Sequence, residues 1–125
     1  MDNCLFCDKN NFEKEIILED KLFYAKWDGH PVSKGHALIF PKKHIKSLFD
    51  LNESEIVAFL KLLKEVKKII DSKYHPDAYN IGINDGVEAG RTIHHLHIHI
   101  IPRYKGDVDD PRGGVRHIIP GKGFY

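Results

Sequence analysis

The stretch IHHLHIHIIPR, from Ile93 to Arg103, decides how this chain is read, because it carries a strand period and a chemistry at once. It holds four of the nine histidines within six residues, and His95, His97 and His99 alternate with Leu96, Ile98 and Ile100. Successive side chains of a strand point to opposite faces, so the three imidazoles share one face over roughly 13 Å while the aliphatic residues share the other. The aliphatic face is expected to seal a core, and Pro102 is expected to end the strand. His94 has the parity of Leu96 and is left outside the machinery.

Working outward, EIILE (Glu15 to Glu19) and LFYAKW (Leu22 to Trp27) read as two strands around a tight Asp20-Lys21 turn. DGHPVSKGH reads as a loop, and HALIF (His36 to Phe40) as a buried strand stopped by Pro41. Asn52 with Glu55 three residues later makes a capping box. Ile56, Phe59, Leu60, Leu63, Val66 and Ile70 then recur at helical spacing, which predicts a helix from Asn52 to near Tyr74, halted by Pro76. AYNIGIN (Ala78 to Asn84) is a further strand, and the tail offers one short strand at Val115 to Ile119. The order β-β-β-α-β-β predicts an α+β domain spanning residues 1–125: an antiparallel sheet of about five strands with one long helix on one face.

A hydrophobic fraction of 42% against 30% charged residues is an ordinary globular balance, and 125 residues suffice for a core without covalent staples. The net charge of +1 argues against a general nucleic-acid or membrane-surface binder. No apolar run approaches the ~18 residues of a membrane span. The start MDNCLFCDKN lacks a basic segment followed by an apolar one, so a cytoplasmic protein is expected.

Three readings of the histidine face compete. It is a solvated strand face, a three-histidine metal site, or a nucleophilic and acid–base site for phosphate. A neutral imidazole can attack phosphorus, and its neighbours can hold phosphate oxygens. Metal sites usually draw ligands from more than one element. Cys4 and Cys7, spaced CxxC, are half of a zinc site, or a redox pair, or two thiols without metal.

HHLHIHII (His94 to Ile101) resembles the signature of the histidine triad nucleotide hydrolases and transferases. FPKKHI (Phe40 to Ile45), NDGVEAGRT (Asn84 to Thr92) and HIIPRYKGD (His99 to Asp107) resemble the family's blocks in the expected order. EAGRT before the triad, with IPRYKGD and RGGVRHIIP after it, is most similar to the diadenosine-polyphosphate hydrolase-like branch. The resemblance implies that His97 is the nucleophile on the α-phosphorus, forming a nucleotidyl-histidine that water hydrolyses. It implies that His99 contacts phosphate and that His95 orients His97 through its backbone carbonyl. Asn84 and Thr92 match phosphate-contacting positions, and Asp28 matches the acidic residue that binds ribose hydroxyls. Where the family often has Gln, this chain has Arg91, a guanidinium suited to gripping extra phosphates or forming a surface ion pair. Arg112 and Arg116 in the mixed-charge tail either meet the distal part of a dinucleotide or sit in a solvated loop. The resemblance also supplies His44 and His95 as partners for Cys4 and Cys7 in a structural zinc site, and implies a homodimer using the long helix and a strand edge.

The leading function is therefore hydrolysis of dinucleoside polyphosphates of the diadenosine tetraphosphate type. A nucleoside phosphoramidate hydrolase shares the His97 step and differs in leaving group. A phosphorylase or nucleotidyltransferase would replace the water, although the related sugar-phosphate transferases usually carry Gln where this chain has His99. A nucleotide-binding regulatory protein with negligible turnover and a three-histidine metallohydrolase are the remaining classes.

Overall fold

A computed structural model describes residues 3–125. Five strands form one antiparallel sheet: β1 (Ile16–Glu19), β2 (Phe23–Trp27), β3 (Ala37–Pro41), β4 (Ala78–Gly82) and β5 (Ile98–Arg103), in the spatial order β1-β2-β3-β5-β4. The helix α1 spans Glu53–Tyr74. The α+β architecture with one long helix on the sheet is the one the pattern predicts. Among the described residues no helix is long and apolar enough to cross a membrane.

The hairpin between β1 and β2 closes on Asp20, whose carboxylate accepts from the backbone N–H groups of Leu22 and Phe23. At the start of α1, Asn52 accepts from Glu55 N–H while the Glu55 side chain accepts from Asn52 N–H, so the capping box closes in both directions. Asn52→Ala removes that acceptor and is expected to lower stability by about 1 kcal/mol. Urea unfolding with an unchanged m-value checks it, and an unshifted midpoint would contradict it.

The sheet separates two apolar clusters. On one face, Phe23, Ala25, Ile39, Ile98 and Ile100 pack with Phe59, Leu62, Val66 and Ile70 of α1. On the other face, Leu38 and Phe40 of β3 meet Phe6 and Phe12 of the N-terminal segment. The buried stripe of α1 is narrower than the periodicity suggests. Ile56 and Leu60 are exposed together with Val57, and Leu62 is buried where the pattern favoured Leu63. Gly35 (φ 85°) carries the loop before β3 past the helix end, where a Cβ would stand 2.8 Å from Tyr74 Cδ2.

Several element boundaries differ from expectation; β4 ends at Gly82 where a strand to Asn84 was expected. The strand of the histidine stretch begins only at Ile98, because β3 ends at Pro41 and its last pair is Ile39 with Ile98. Pro41 is the last residue of β3, where the strand was expected to stop, whereas Pro102, expected to end its strand, lies within β5. The Ser33 hydroxyl donates to the Pro102 carbonyl at 2.7 Å, so that residue's hydrogen-bonding edge faces the side beyond β3, and its missing N–H removes no rung. Val115 to Ile119 is not a strand; Gly114–Ile118 form a 3₁₀ helix entered through Gly113 and Gly114 at φ 95° and 48°, angles a strand cannot use.

Candidate functional site

Of the three alternating histidines only His99 lies inside β5; His95 and His97 sit in the segment that leads into it. Their parity is retained: Leu96, Ile98 and Ile100 are buried toward the helix side. His95 is not on an open face, however. It is fully buried, and its Nε2 meets the Pro41 carbonyl at 2.8 Å. The imidazole thus occupies the gap where β3 and the incoming chain separate, and its ring N–H replaces a ladder bond.

That bond fixes the tautomer. With Nε2–H donating to Pro41, the lone pair of His95 is on Nδ1. Nδ1 lies 3.4 Å from Cys4 Sγ, 3.6 Å from Cys7 Sγ and 3.3 Å from His44 Nδ1, and His44 Nδ1 is 3.2 Å from Cys7 Sγ. A tetrahedron with metal–sulfur bonds of ~2.3 Å and metal–nitrogen bonds of ~2.0–2.1 Å has N···S edges of about 3.5 Å and an N···N edge of about 3.3 Å. The four donors fit zinc in identity and in spacing. Burial first, and then the neighbouring Cys4, push the Cys7 thiol up to about 11, a penalty on the thiolate that a bound divalent cation would reverse.

His97 is restrained through the same residue. Its Nδ1–H donates to the His95 carbonyl at 2.7 Å, which leaves a bare lone pair on Nε2. Burial holds the His97 ring below its ordinary range and so favours the neutral form. His99 stands beside it with ring centroids 5.3 Å apart.

His36 belongs to this site and sequence reasoning passed over it. It is buried at the entry to β3, where the register pairs Leu38 with His99. The Val32 N–H donates to His36 Nδ1 at 3.1 Å, so the proton is on Nε2. That Nε2–H faces His99 Nδ1 at 3.0 Å and Asp28 Oδ2 at 3.2 Å. His99 accepts on Nδ1 and is therefore left with Nε2–H as a donor. Asp28, His36 and His99 bring donors together as a metal site would. An imidazole accepting on Nδ1 while ligating through Nε2 would have to be an imidazolate, so this trio is a hydrogen-bond relay. The signal in the sequence was the alternation His36, Leu38, Phe40, which places His36 on the same face as His99.

Burial pushes His99 down to about 4, with His97 and His36 adding to the effect and Asp28 opposing it. His36 is also lowered, chiefly by burial. Both rings are held below the unfolded value near 6.5, so below pH 6.5 the unfolded chain binds more protons, for His99 down to about pH 4. Their contribution to stability is complete above 6.5 and is lost as pH falls below it, for His99 down to about 4, at up to ~1.4 kcal/mol per pH unit for that ring, with His36 adding in the same direction. Urea midpoints at pH 7.5, 6 and 5, compared with those of His99→Asn, measure it; identical acid slopes for the two proteins would contradict it.

A cleft of about 440 Å³ opens over these rings. Asp28, Asn84, Arg91, Thr92, His97 and His99, which the sequence reading set apart for nucleotide, all line it. Leu5, Phe6, Phe12 and Leu38 form an apolar wall in the same cleft. Arg91 is held in place, with Nε donating to His94 Nδ1 at 3.2 Å and Nη1 to the Lys46 carbonyl at 3.1 Å. His94 thus touches the site through Arg91. Arg112 pairs with Asp110 away from the cleft, and Arg116 bonds the Lys122 and Gly123 carbonyls.

Residues 9–106 match the HIT domain. A HIT-like protein of Methanocaldococcus jannaschii is 39% identical over 106 residues, covering 83% of this chain and 81% of that protein. The asymmetrical bis(5'-nucleosyl)-tetraphosphatase of Schizosaccharomyces pombe is 35% identical over 106 residues, covering 85% of this chain; the match spans 58% of that longer enzyme. Among solved structures, a zinc-bound histidine triad family protein from Mycobacterium smegmatis superposes with a TM-score of 0.73 at 31% identity, covering 84% of this chain and 78% of that one.

Proposed function

The chain belongs to the histidine triad (HIT) family, and from that premise we propose that it hydrolyses dinucleoside polyphosphates at the α-phosphate through a nucleotidyl intermediate on His97. One observation carries the proposal: His97 has its proton fixed on Nδ1 and a bare Nε2 in a cleft that also presents the Nε2–H of His99. The Nε2 lone pair attacks the α-phosphorus, the bond to the bridging oxygen breaks, and the polyphosphate departs with that electron pair. His99 donates to a non-bridging oxygen as charge develops there. Water then attacks the phosphorus, the P–N bond returns its electrons to Nε2, and a mononucleotide leaves. Asp28 serves the ribose hydroxyls, Asn84 and Thr92 the phosphate, and Arg91 the further phosphates of the chain. The relation to the yeast tetraphosphatase supports the substrate class.

Purified protein supplied with diadenosine tetraphosphate in ¹⁸O-water tests this. One labelled oxygen in a mononucleotide product is expected. A diphosphate product that appears only with added phosphate would make the protein a phosphorylase, and preferential cleavage of adenosine phosphoramidate would move the assignment to that leaving group.

In this reading Cys4, Cys7, His44 and His95 hold one structural zinc that clips the N-terminal segment to the sheet and leaves no open position for chemistry. Its thiolates suit a reducing compartment, in keeping with a cytoplasmic protein. Elemental analysis is expected to give one zinc per chain, and Cys4→Ser to lose it with a lower unfolding midpoint; a metal-free wild type of equal stability would reject the site. A homodimer is also proposed. Val57, Leu60 and Ile81 expose 50%, 48% and 46% of their surface on α1 and on the edge strand β4, and self-association would cover them. Sedimentation giving a monomer at micromolar concentration would contradict it.

A further inference from the structure

Two restraints hold the His97 ring, and both run through the cysteine–histidine cluster. The first is the His95 carbonyl, which belongs to a cluster member. The second is Phe6, which stands between Cys4 and Cys7 in the chain. Phe6 is 3% exposed, stacks on Phe40 at 4.3 Å, and presents an edge-type contact to His97 at 5.3 Å and to His95 at 5.9 Å.

The segment that carries Phe6 has little of its own to hold it. Among the described residues before β1 it contains only turns and two three-residue 3₁₀ helices, with no strand pairing to the sheet. Its anchors are the apolar cluster of Phe6, Phe12, Leu38 and Phe40, two ion pairs further along the segment, Lys9 with Glu19 and Glu15 with Lys26, and, nearest Phe6, the two sulfurs facing His44 and His95. A CxxC turn closed on a metal fixes the backbone of the two residues it encloses, one of which is Phe6. Opening that turn would free Phe6 to leave the His97 ring and would relax the peptide whose carbonyl receives the Nδ1 proton.

We propose that Phe6 is a positioning residue for His97, seated by metal in the Cys4–Cys7–His44–His95 cluster, so that metal occupancy sets the orientation and tautomer of the nucleophile as well as the stability of the fold. The proposal rests on the readings of His97 as nucleophile and of the cluster as a metal site. The metal takes no part in the reaction; the Phe6 ring edge and the His95 carbonyl keep Nε2 aimed into the cleft. An aim lost by about 1 Å typically costs up to ~100-fold in rate.

The test uses full-length protein with ¹⁵N-labelled histidine, whose long-range ¹H–¹⁵N spectra report the tautomer and exchange of each ring. Four samples are compared: zinc-loaded wild type, wild type stripped by a chelator, zinc-loaded Phe6→Leu and zinc-loaded Phe6→Tyr. His97 is expected as a single sharp Nδ1–H tautomer in the loaded wild type and in Phe6→Tyr. Broadened or mixed signals are expected in the stripped protein and in Phe6→Leu, with His36 and His99 unchanged. In Phe6→Leu, kcat is expected to fall about tenfold and by more than KM rises. Unaltered His97 signals in Phe6→Leu, or a change in KM alone, would overturn the role of Phe6. Unaltered signals after stripping would overturn the role of the metal. Should stripping unfold the chain, Phe6→Leu retains metal and fold and still decides. Wild type that purifies without metal would end the metal reading alone, and an active His97→Ala the nucleophile reading alone.

Discussion

His97→Ala is expected to lower turnover of a dinucleoside polyphosphate by on the order of 10⁴-fold while leaving binding of a mononucleotide within a few-fold of wild type. The size follows from the absence of a substitute. His99 is kept from acting as a base toward the cleft, because the His36 Nε2–H engages its Nδ1 at 3.0 Å and leaves it a donor on the other side. His95 is buried, with Nε2 on the Pro41 carbonyl and Nδ1 directed at the two sulfurs. His36 is enclosed by Val32, Asp28 and His99. The four imidazoles are crowded together, yet the hydrogen bonds leave one lone pair aimed at substrate. Single-turnover kinetics and calorimetric titration with a mononucleotide measure the two halves. Residual turnover within tenfold of wild type would show that another group attacks phosphorus.

The division of labour within the histidine stretch was legible as parity, because a period of two is a local property of the chain. Leu96, Ile98 and Ile100 are in the core as the alternation requires. The capping box at Asn52 and Glu55 was legible for the same reason, since its partners lie three residues apart. What parity could not reveal was where the strand begins. That depends on how far β3 extends beside it, and the separation after the Ile39–Ile98 pair turns His95 from a face residue into a buried one. His36 and Phe6 were missed on similar grounds. Each reaches the site through contacts 63 or 91 residues away along the chain, His36 with His99 and Phe6 with His97; the alternation with Leu38 and Phe40 gives the face of His36 but not its partner, and Phe6 has no local pattern that announces it. Exposure of Ile56 and Leu60 likewise depends on where α1 rests on the sheet, which the helical period alone leaves open over about a third of its circumference.

Exchanging His36 for two amides of different length is expected to separate its hydrogen bonds. Asparagine places its amide near the former Nδ1, where it can accept from the Val32 N–H, but it falls short of His99. Glutamine reaches the former Nε2 position and can donate to His99 Nδ1, now 3.0 Å from the histidine nitrogen. In His36→Asn, His99 loses the donor that fixes its tautomer and can place its proton on Nδ1, toward Asp28, whose carboxylate lies 3.9 Å away. The cleft then meets a lone pair where it had an N–H. Losing one donor to a developing phosphate charge costs on the order of 10²-fold in kcat. His36→Gln is expected to stay within about fivefold of wild type, since the donor is kept although Gln spends more side-chain entropy to hold it. The loss should appear in kcat more than in KM, because the bond to phosphate strengthens as charge accumulates. Imidazole ¹⁵N spectra of His99 should move from the Nε2–H to the Nδ1–H form in the Asn variant only. Equal activity in the two variants, or an unchanged His99 tautomer in His36→Asn, would reduce His36 to a packing residue and leave the donor role of His99 without its cause.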